Sequence, residues 1–262
     1  MNILQSIILG MVEGITEFLP ISSTFHLIWT SRFLQLSQTD FIKLFEVFIQ
    51  GGAILAVVLL YTKEILNNRQ LFVKLILSFI PTAVVGLGLY KIIKGVFFER
   101  IDVTTVTFII IGIVFLVVEY IIHKKWLKIE KSIAKLSYKQ AILIGLVQSL
   151  AVLPGVSRAG AVIVGMMILG YKRDESAKYS FMLSIPTILA ASFYDLYKMR
   201  DVAFASTDQF GILLVGFIVA FVSAFFVIRW LIQFLQTNSL ALFGWYRVLV
   251  GIILLLTLGM SL

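Results

Sequence analysis

The chain has 262 residues, of which 60% are hydrophobic and 14% are charged, and its mean hydropathy is +1.02. Soluble domains are about half apolar and about a quarter charged, so this composition excludes a soluble globular protein and predicts a membrane protein. The chain has no cysteine, which excludes disulfides, thiolate catalysis and cysteine-ligated metal sites. In a membrane protein the net charge of +8 (22 − 14) reports orientation and contact with anionic lipid, so no nucleic-acid partner is expected.

In chain order, the apolar segments predict one interrupted segment, three spans, a second interrupted segment and three more spans. Both interrupted segments, 3–34 and 140–170, carry polar side chains and a proline in their middle, which predicts helix, break, helix. We expect both to be re-entrant hairpins whose tips meet inside the protein, since non-helical backbone at membrane depth needs protein or water around it. The runs long enough to cross about 30 Å of hydrocarbon are 41–62, 71–91, 103–122, 178–197, 210–235 and 240–261.

The two interrupted segments also resemble each other, which indicates an internal duplication. Gln5 and Gly10 are matched by Gln140 and Gly145 at a shift of 135 (140 − 5), and after a one-residue deletion Ser23 falls on Ser157 (157 − 23 = 134). Each half, 1–130 and 131–262, would hold one hairpin and three spans, and because three is odd the second half is inverted. The fold class expected is a single all-α integral membrane domain with an inverted-topology repeat.

The loops on one predicted side carry more lysine and arginine than the loops on the other, and the richer side is expected to be cytoplasmic. This bias predicts a multi-pass membrane protein whose first hairpin opens to the outer face. The basic residues of the cytoplasmic loops are Lys63, Arg69, Lys74, Lys124, Lys125, Lys128, Lys131, Lys135, Lys139, Lys172, Arg173 and Lys178.

Glu13 and Glu17 stand four residues apart, which places both carboxylates on one face of the first hairpin's helix. An ionised carboxylate in hydrocarbon costs several kcal/mol, so the pair needs a shared cation, a proton or an arginine. Carboxylate oxygens completed by phosphate oxygens and water suit Mg²⁺ or Ca²⁺. The alternatives that remain are an acid/base pair and a purely structural Glu–Arg brace.

Ser22, Ser23, Thr24 and His26 follow the break at Pro20. A hydroxyl three residues from an imidazole, beside a carboxylate pair, supplies a nucleophile and a base or acid. Serine after proline is also an ordinary helix N-cap, and a lone imidazole can simply be a satisfied polar group.

The second hairpin carries Gly155, Ser157 and Arg158 where its second helix should begin. A helix N-terminus with free N–H groups, a hydroxyl and a guanidinium makes a cradle for phosphate. Arg158 neutralising Glu13 or Glu17 is the alternative. Gln50, on the first span, is interpreted as support for the site or as a helix–helix contact, and Arg247 as an interfacial anchor.

Together these residues resemble the undecaprenyl-diphosphate phosphatases, the bacitracin-resistance membrane family. The resemblance rests on two long motifs, the segment from Glu13 through Glu17, Pro20 and Ser23 to His26, and the segment Pro154-Gly-Val-Ser-Arg158. It implies an enzyme that removes the terminal phosphate of undecaprenyl diphosphate, recycling the lipid carrier for peptidoglycan and conferring bacitracin resistance.

The resemblance also implies a role for each site residue. Glu13 and Glu17 would hold the divalent cation, and Glu17 would also take part in acid/base chemistry. Ser23 or His26 would attack phosphorus, or His26 would activate water, while Arg158 would clamp the diphosphate. Further substrate contacts are expected from Ser22, Thr24, Gln50, Gly155 and Ser157.

Two features leave other interpretations open. Ala159 and Val162 stand where the family's second motif has Ser and Thr, so two hydroxyls that could hold phosphate are missing. A flippase that moves a polyprenyl phosphate without hydrolysing it is the rival function, because inverted repeats and broken helices are also a transporter plan. Membrane lipid is an expected partner, and a homodimer is left open.

Overall fold

The computed structural model of the chain describes residues 1–37, 39–96, 101–198 and 207–259. These residues form α-helices joined by short loops, with two 3₁₀ turns at Ile133–Lys135 and Leu150–Val152 and no β-strand in the ranges given. The α-helices are α1 (Ile3–Thr16), α2 (Ser23–Phe33), α3 (Asp40–Asn67), α4 (Arg69–Val96), α5 (Ile101–His123), α6 (Tyr138–Ser149), α7 (Arg158–Ile168), α8 (Arg173–Lys198), α9 (Thr207–Thr237) and α10 (Ala241–Gly259).

Four of these helices are long and apolar enough to cross a bilayer: Asp40–Asn67, Arg69–Gly88, Ile101–His123 and Gln209–Thr237. They coincide with four of the expected spans, and α8 and α10 occupy the other two apolar runs. The end of the last expected span, residues 260 and 261, lies outside the described residues. Large apolar side chains such as Leu59, Leu87 and Phe226 are exposed on the outside of the bundle, as lipid-facing side chains are. The architecture is that of a helical integral membrane protein.

Both interrupted segments form the expected helix, break, helix. Their four helices have 14, 11, 12 and 11 residues, and at 1.5 Å per residue none exceeds about 21 Å, which is too short to cross the hydrocarbon alone. We call α1 with α2 the first hairpin and α6 with α7 the second hairpin. Each break ends in a serine with left-handed backbone, Ser22 at φ 66° and Ser157 at φ 72°.

The hairpins are held by close helix contacts that only glycine permits. A Cβ on Gly10 of α1 would lie 2.6 Å from the carbonyl oxygen of Gly216 on α9, and one on Gly145 of α6 would lie 2.2 Å from that of Ser78 on α4. Each hairpin therefore packs against a long helix of the opposite half of the chain. In the centre, α3 packs against α8 and α9, and α5 packs against α10.

Backbone landmarks of the two hairpins recur at one constant shift. The capping boxes begin at Asn2 and Ser137 (137 − 2 = 135), and the left-handed serines are Ser22 and Ser157 (157 − 22 = 135). A third left-handed pair, Gln35 and Gly170, closes the hairpins at the same shift (170 − 35 = 135). The expected one-residue deletion, which matched Ser23 with Ser157, is therefore wrong for the hairpins, because the backbone conformation of Ser157 recurs at Ser22. Ser22, not Ser23, corresponds to Ser157, and Ser23 corresponds to Arg158.

Candidate active site

The carboxylate of Glu17 joins the two hairpins. Glu17 is the C-cap of α1, where the chain leaves the helix for the break. The Ser23 hydroxyl donates to its Oε2 at 2.5 Å, and Arg158 Nη2 donates to its Oε1 at 2.6 Å. The Glu17 and Arg158 side chains are 9% and 12% exposed, so this ion pair is largely shielded from solvent. Glu17, Ser23 and Arg158, which the sequence analysis assigned to one site, are therefore in direct contact.

Ser23 and Arg158 reach Glu17 because each is the first residue of the second helix of its hairpin. The left-handed turns at Ser22 and Ser157 reverse the chain, and α2 and α7 then start at Ser23 and Arg158. In the second hairpin the reversal also needs Gly155, which has φ 90° and whose Cβ, if present, would lie 2.4 Å from the carbonyl oxygen of Thr104. Two helix N-termini, with their free N–H groups, thus begin beside one carboxylate.

Glu13 lies one turn before Glu17 and is completely buried. None of the described residues donates a hydrogen bond to either of its carboxylate oxygens. A buried ionised carboxylate without donors costs several kcal/mol, so Glu13 requires a proton or a cation. Arg158 does not supply it, because its guanidinium bonds to Glu17 and to the carbonyl oxygen of Ser180.

The charges of Glu13, Glu17 and Arg158 balance within the protein only when Glu13 is protonated. Glu13 and Glu17 together carry up to two negative charges, whereas Arg158 offers one positive charge. The described residues hold no group of three or more His, Asp or Glu side chains suited to a metal ion. A divalent cation here would therefore take protein oxygens from Glu13 and Glu17 and the rest from substrate or water. The orphaned oxygens of Glu13 fit such a cation.

His26 does not bond to Ser23. Its Nδ1 lies 2.8 Å from the Ser22 carbonyl oxygen, and its Nε2 lies 2.8 Å from the Tyr246 hydroxyl, on whose ring it also stacks. Since a carbonyl can only accept, Nδ1 carries a proton, and in the neutral ring Nε2 accepts from Tyr246. The expected hydroxyl and imidazole pair is thus replaced by a hydroxyl and carboxylate pair, Ser23 with Glu17.

The other predicted substrate contacts have varied surroundings. The Ser157 hydroxyl caps α7 by accepting from the N–H of Gly160 at 3.1 Å, whereas the buried Ser22 makes no side-chain cap. Thr24 and Gln50 are half-buried, and their side chains take part in none of the hydrogen bonds of the described residues. On the same helix as Gln50, Glu46 accepts from Ser31 Oγ at 3.1 Å, tying α3 to α2.

Arg247 is the residue that sequence reasoning misjudged. The interfacial anchor expected at this position is wrong, because the Arg247 side chain is completely buried and donates to three backbone carbonyls. Two of these belong to Pro20 and Gly155, at the tips of the two hairpins. The only sequence signal was an arginine inside an apolar run, a position that favours a buried role.

Two cavities lie away from Glu17. One, of about 330 Å³, is polar and lies between α4, α8 and the loop before α6, with Lys74 and Glu175 in its wall. The other, of about 230 Å³, is almost wholly apolar and is formed by α3, α8 and α9, with Phe48, Phe193 and Phe217 in its wall. The apolar cavity has the chemistry of a site for a hydrocarbon chain.

Comparison with known proteins finds a matching family model and similar curated proteins over nearly the whole chain. The family model described as bacitracin resistance protein BacA matches residues 6–253. Similar curated proteins are the undecaprenyl-diphosphatases of Sulfurihydrogenibium sp. (47% identity, 97% of this chain and 98% of the relative), Persephonella marina (46%, 98% and 99%) and Aquifex aeolicus (43%, 95% and 96%). The match covers both hairpins and nearly all of the spans.

Proposed function

Because the chain belongs to the family of bacitracin resistance proteins BacA, we propose that it hydrolyses undecaprenyl diphosphate to undecaprenyl phosphate and inorganic phosphate. The observation that carries this proposal is the contact of Ser23 and Arg158 with the single carboxylate of Glu17. A hydroxyl with a carboxylate to take its proton, beside a guanidinium, is a set of groups suited to phosphoryl transfer. The relatives' names supply the substrate.

In the proposed mechanism Ser23 is the nucleophile. Its Oγ attacks the terminal phosphorus while its proton passes to Glu17, the Oγ–P bond forms, and the bond from phosphorus to the bridging oxygen breaks. Undecaprenyl phosphate leaves. Water then adds to the phosphorus, the P–Oγ bond breaks with return of a proton to Ser23, and inorganic phosphate is released. Ser23 is preferred to His26 because both ring nitrogens of His26 bond elsewhere.

Arg158 is proposed to bind the transferring phosphoryl group. Its Nε is buried and has no partner within the described residues, so at least one donor remains for a ligand. The free N–H groups at the start of α2 and α7 would add further donors to phosphate oxygens. Ser22, Thr24, Gly155, Ser157 and Gln50 are kept as proposed substrate contacts.

Glu13 and Glu17 are proposed to hold a divalent cation, Mg²⁺ or Ca²⁺. Such a cation would offset negative charge on the diphosphate and on the phosphoryl group as it is transferred. The support comes from Glu13, whose two buried oxygens have no donor among the described side chains and backbone groups.

We also propose an inverted-topology repeat of halves 1–130 and 131–262 with six spans. The constant shift of 135 between the hairpins supports the repeat, and so does the reciprocal packing of α1 on α9 and α6 on α4. The plasma membrane, an active site open to the outer face, and roles in cell-wall synthesis and bacitracin resistance belong to the same proposal. The apolar cavity of α3, α8 and α9 is proposed to receive part of the prenyl chain.

The test is phosphate release from undecaprenyl diphosphate by the purified protein, with Mg²⁺ or Ca²⁺ varied. Wild type should release phosphate in a metal-dependent manner, and Glu17→Gln and Arg158→Ala should abolish release. A wild type that releases none with either metal, yet moves undecaprenyl phosphate across the bilayer of proteoliposomes, would support the flippase instead. Full activity in Glu17→Gln would overturn the site while leaving the enzyme class intact.

A further inference from the structure

Arg247 on α10 is a buried cation bonded entirely to backbone. Its Nε donates to the Phe108 carbonyl oxygen at 3.0 Å, its Nη1 to that of Pro20 at 3.1 Å and its Nη2 to that of Gly155 at 2.5 Å. The described residues include no carboxylate paired with it. Its guanidinium lies 4.4 Å from the ring centroid of Phe108 and 5.4 Å from that of Phe115, so cation–π contacts offset part of the cost of burial.

The two carbonyls at the hairpin tips are equivalent positions of the repeat. Pro20 and Gly155 are separated by the shift that relates the two hairpins (155 − 20 = 135). Each lies three residues before the group that reaches Glu17, since Pro20 precedes Ser23 and Gly155 precedes Arg158 by the same distance. The two Nη atoms of one guanidinium therefore bind equivalent points on both hairpins.

Gly112 on α5 faces Arg247 on α10. A Cβ on Gly112 would lie 2.8 Å from Cβ of Arg247 and 3.0 Å from the carbonyl oxygen of Gly244. The absence of a side chain at Gly112 thus makes room for Arg247 where α10 packs against α5.

We propose that Arg247 is a positioning residue for the phosphatase reaction: it fixes the two hairpin tips relative to each other and thereby sets Ser23 against Arg158 around Glu17. The inference rests on the proposed function. The proposal has a geometric basis. The planar guanidinium of arginine directs donors to three separate carbonyls at once, whereas the compact ammonium of lysine cannot reach all three. A displacement of about 1 Å in a catalytic constellation can lower its rate about a hundredfold.

The test compares Arg247→Lys with a matched control, Arg173→Lys. Arg173 also donates two hydrogen bonds to a buried group, the Glu119 carboxylate, but it contacts neither hairpin tip. In Arg247→Lys we expect kcat for phosphate release to fall about 10- to 100-fold with KM changed less than about threefold. Amide hydrogen exchange should accelerate at least about tenfold in segments 17–23 and 152–158, and not in α6 or α9. Arg173→Lys should change neither kcat nor tip exchange.

Wild-type kcat and tip protection in Arg247→Lys would overturn the proposal, because charge alone would then suffice. Exchange raised evenly through the whole chain would also overturn it, since Arg247 would then serve general stability. If Arg247→Lys does not fold, Gly112→Ala can replace it, because the added methyl group crowds Arg247 Cβ. This variant should also lower kcat and accelerate amide exchange at the hairpin tips, but by less. Wild-type kcat and tip exchange in Gly112→Ala would count against the proposal. If wild type releases no phosphate, the proposed function fails, whereas hydrogen exchange still tests the positioning of the tips.

Discussion

The chemistry proposed for Glu17 depends on its position between two partners, each of which binds one of its carboxylate oxygens. Ser23 donates to one oxygen and Arg158 to the other, so the ion pair with Arg158 holds the carboxylate in place beside the serine hydroxyl. A phosphate that attracts Arg158 would loosen this ion pair as substrate binds. In this view the ion pair holds the site together in the absence of substrate, and the site becomes active when substrate competes for Arg158.

Replacing the proposed nucleophile is the most direct test at this scale. We expect Ser23→Ala to lower kcat at least about a thousandfold, because the hydroxyl that forms the covalent intermediate is removed. Ser176→Ala is the control, since it also removes a buried serine hydroxyl, one that donates to the Lys172 carbonyl oxygen outside the proposed site, and it should stay within about threefold of wild type. A phosphorylated peptide containing Ser23, detected by mass spectrometry after rapid quenching, would identify the intermediate. Activity retained in Ser23→Ala but lost in His26→Gln would favour histidine as the nucleophile.

Glu13→Gln tests whether this carboxylate holds a cation. Glutamine keeps the volume of the side chain and removes the charge, so the concentration of Mg²⁺ or Ca²⁺ giving half-maximal activity should rise at least about tenfold. Equilibrium dialysis with Ca²⁺ measures the same loss without relying on turnover. An unchanged metal dependence would indicate that Glu13 is neutral in the wild-type protein, because a protonated acid and an amide differ little in charge.

At the scale of helices, the hairpins depend on close approach to long helices. Gly145→Ala places a methyl group against the Ser78 carbonyl, 2.2 Å away, and should destabilise the protein by about 1–3 kcal/mol. Gly86→Ala is the control, because a Cβ there meets no atom within 4 Å and alanine favours the helix. The thermal unfolding midpoint in detergent should fall by several degrees for Gly145→Ala and should not fall for Gly86→Ala. Equal midpoints would show that α6 and α4 are not in tight contact.

Sequence patterns predicted the helices well and the side-chain partners unevenly. Long apolar runs and mid-segment prolines are local signals, so the spans and both breaks could be located from the sequence alone. The grouping of Glu17, Ser23 and Arg158 could also be predicted, because buried charges in a membrane protein must find one another. The Tyr246 partner of His26 could not, since 220 residues separate them, and neither could the capping role of Ser157, which depends on its backbone angles.

At the scale of the whole molecule, the proposed repeat identifies a position at which the two hairpins differ in charge. Glu13 corresponds to Gln148 (148 − 13 = 135), whose amide donates to Thr82 and Thr187 in place of a charged partner. In the proposed repeat, the replacement of a carboxylate by an amide at this position confines the acidic side chain to the first hairpin.

The inverted topology predicts opposite sidedness for equivalent loops. Ser37 and Lys172 are exposed residues that follow the first and second hairpins at the repeat shift (172 − 37 = 135). The chain has no cysteine, so Ser37→Cys and Lys172→Cys each introduce a single thiol. In intact cells a membrane-impermeant maleimide should label Ser37→Cys and should reach Lys172→Cys only after permeabilisation. Labelling of both variants from the same side would overturn the inverted repeat and indicate two parallel copies, whereas the reverse pattern would keep the inversion and place the first hairpin's loop in the cytoplasm.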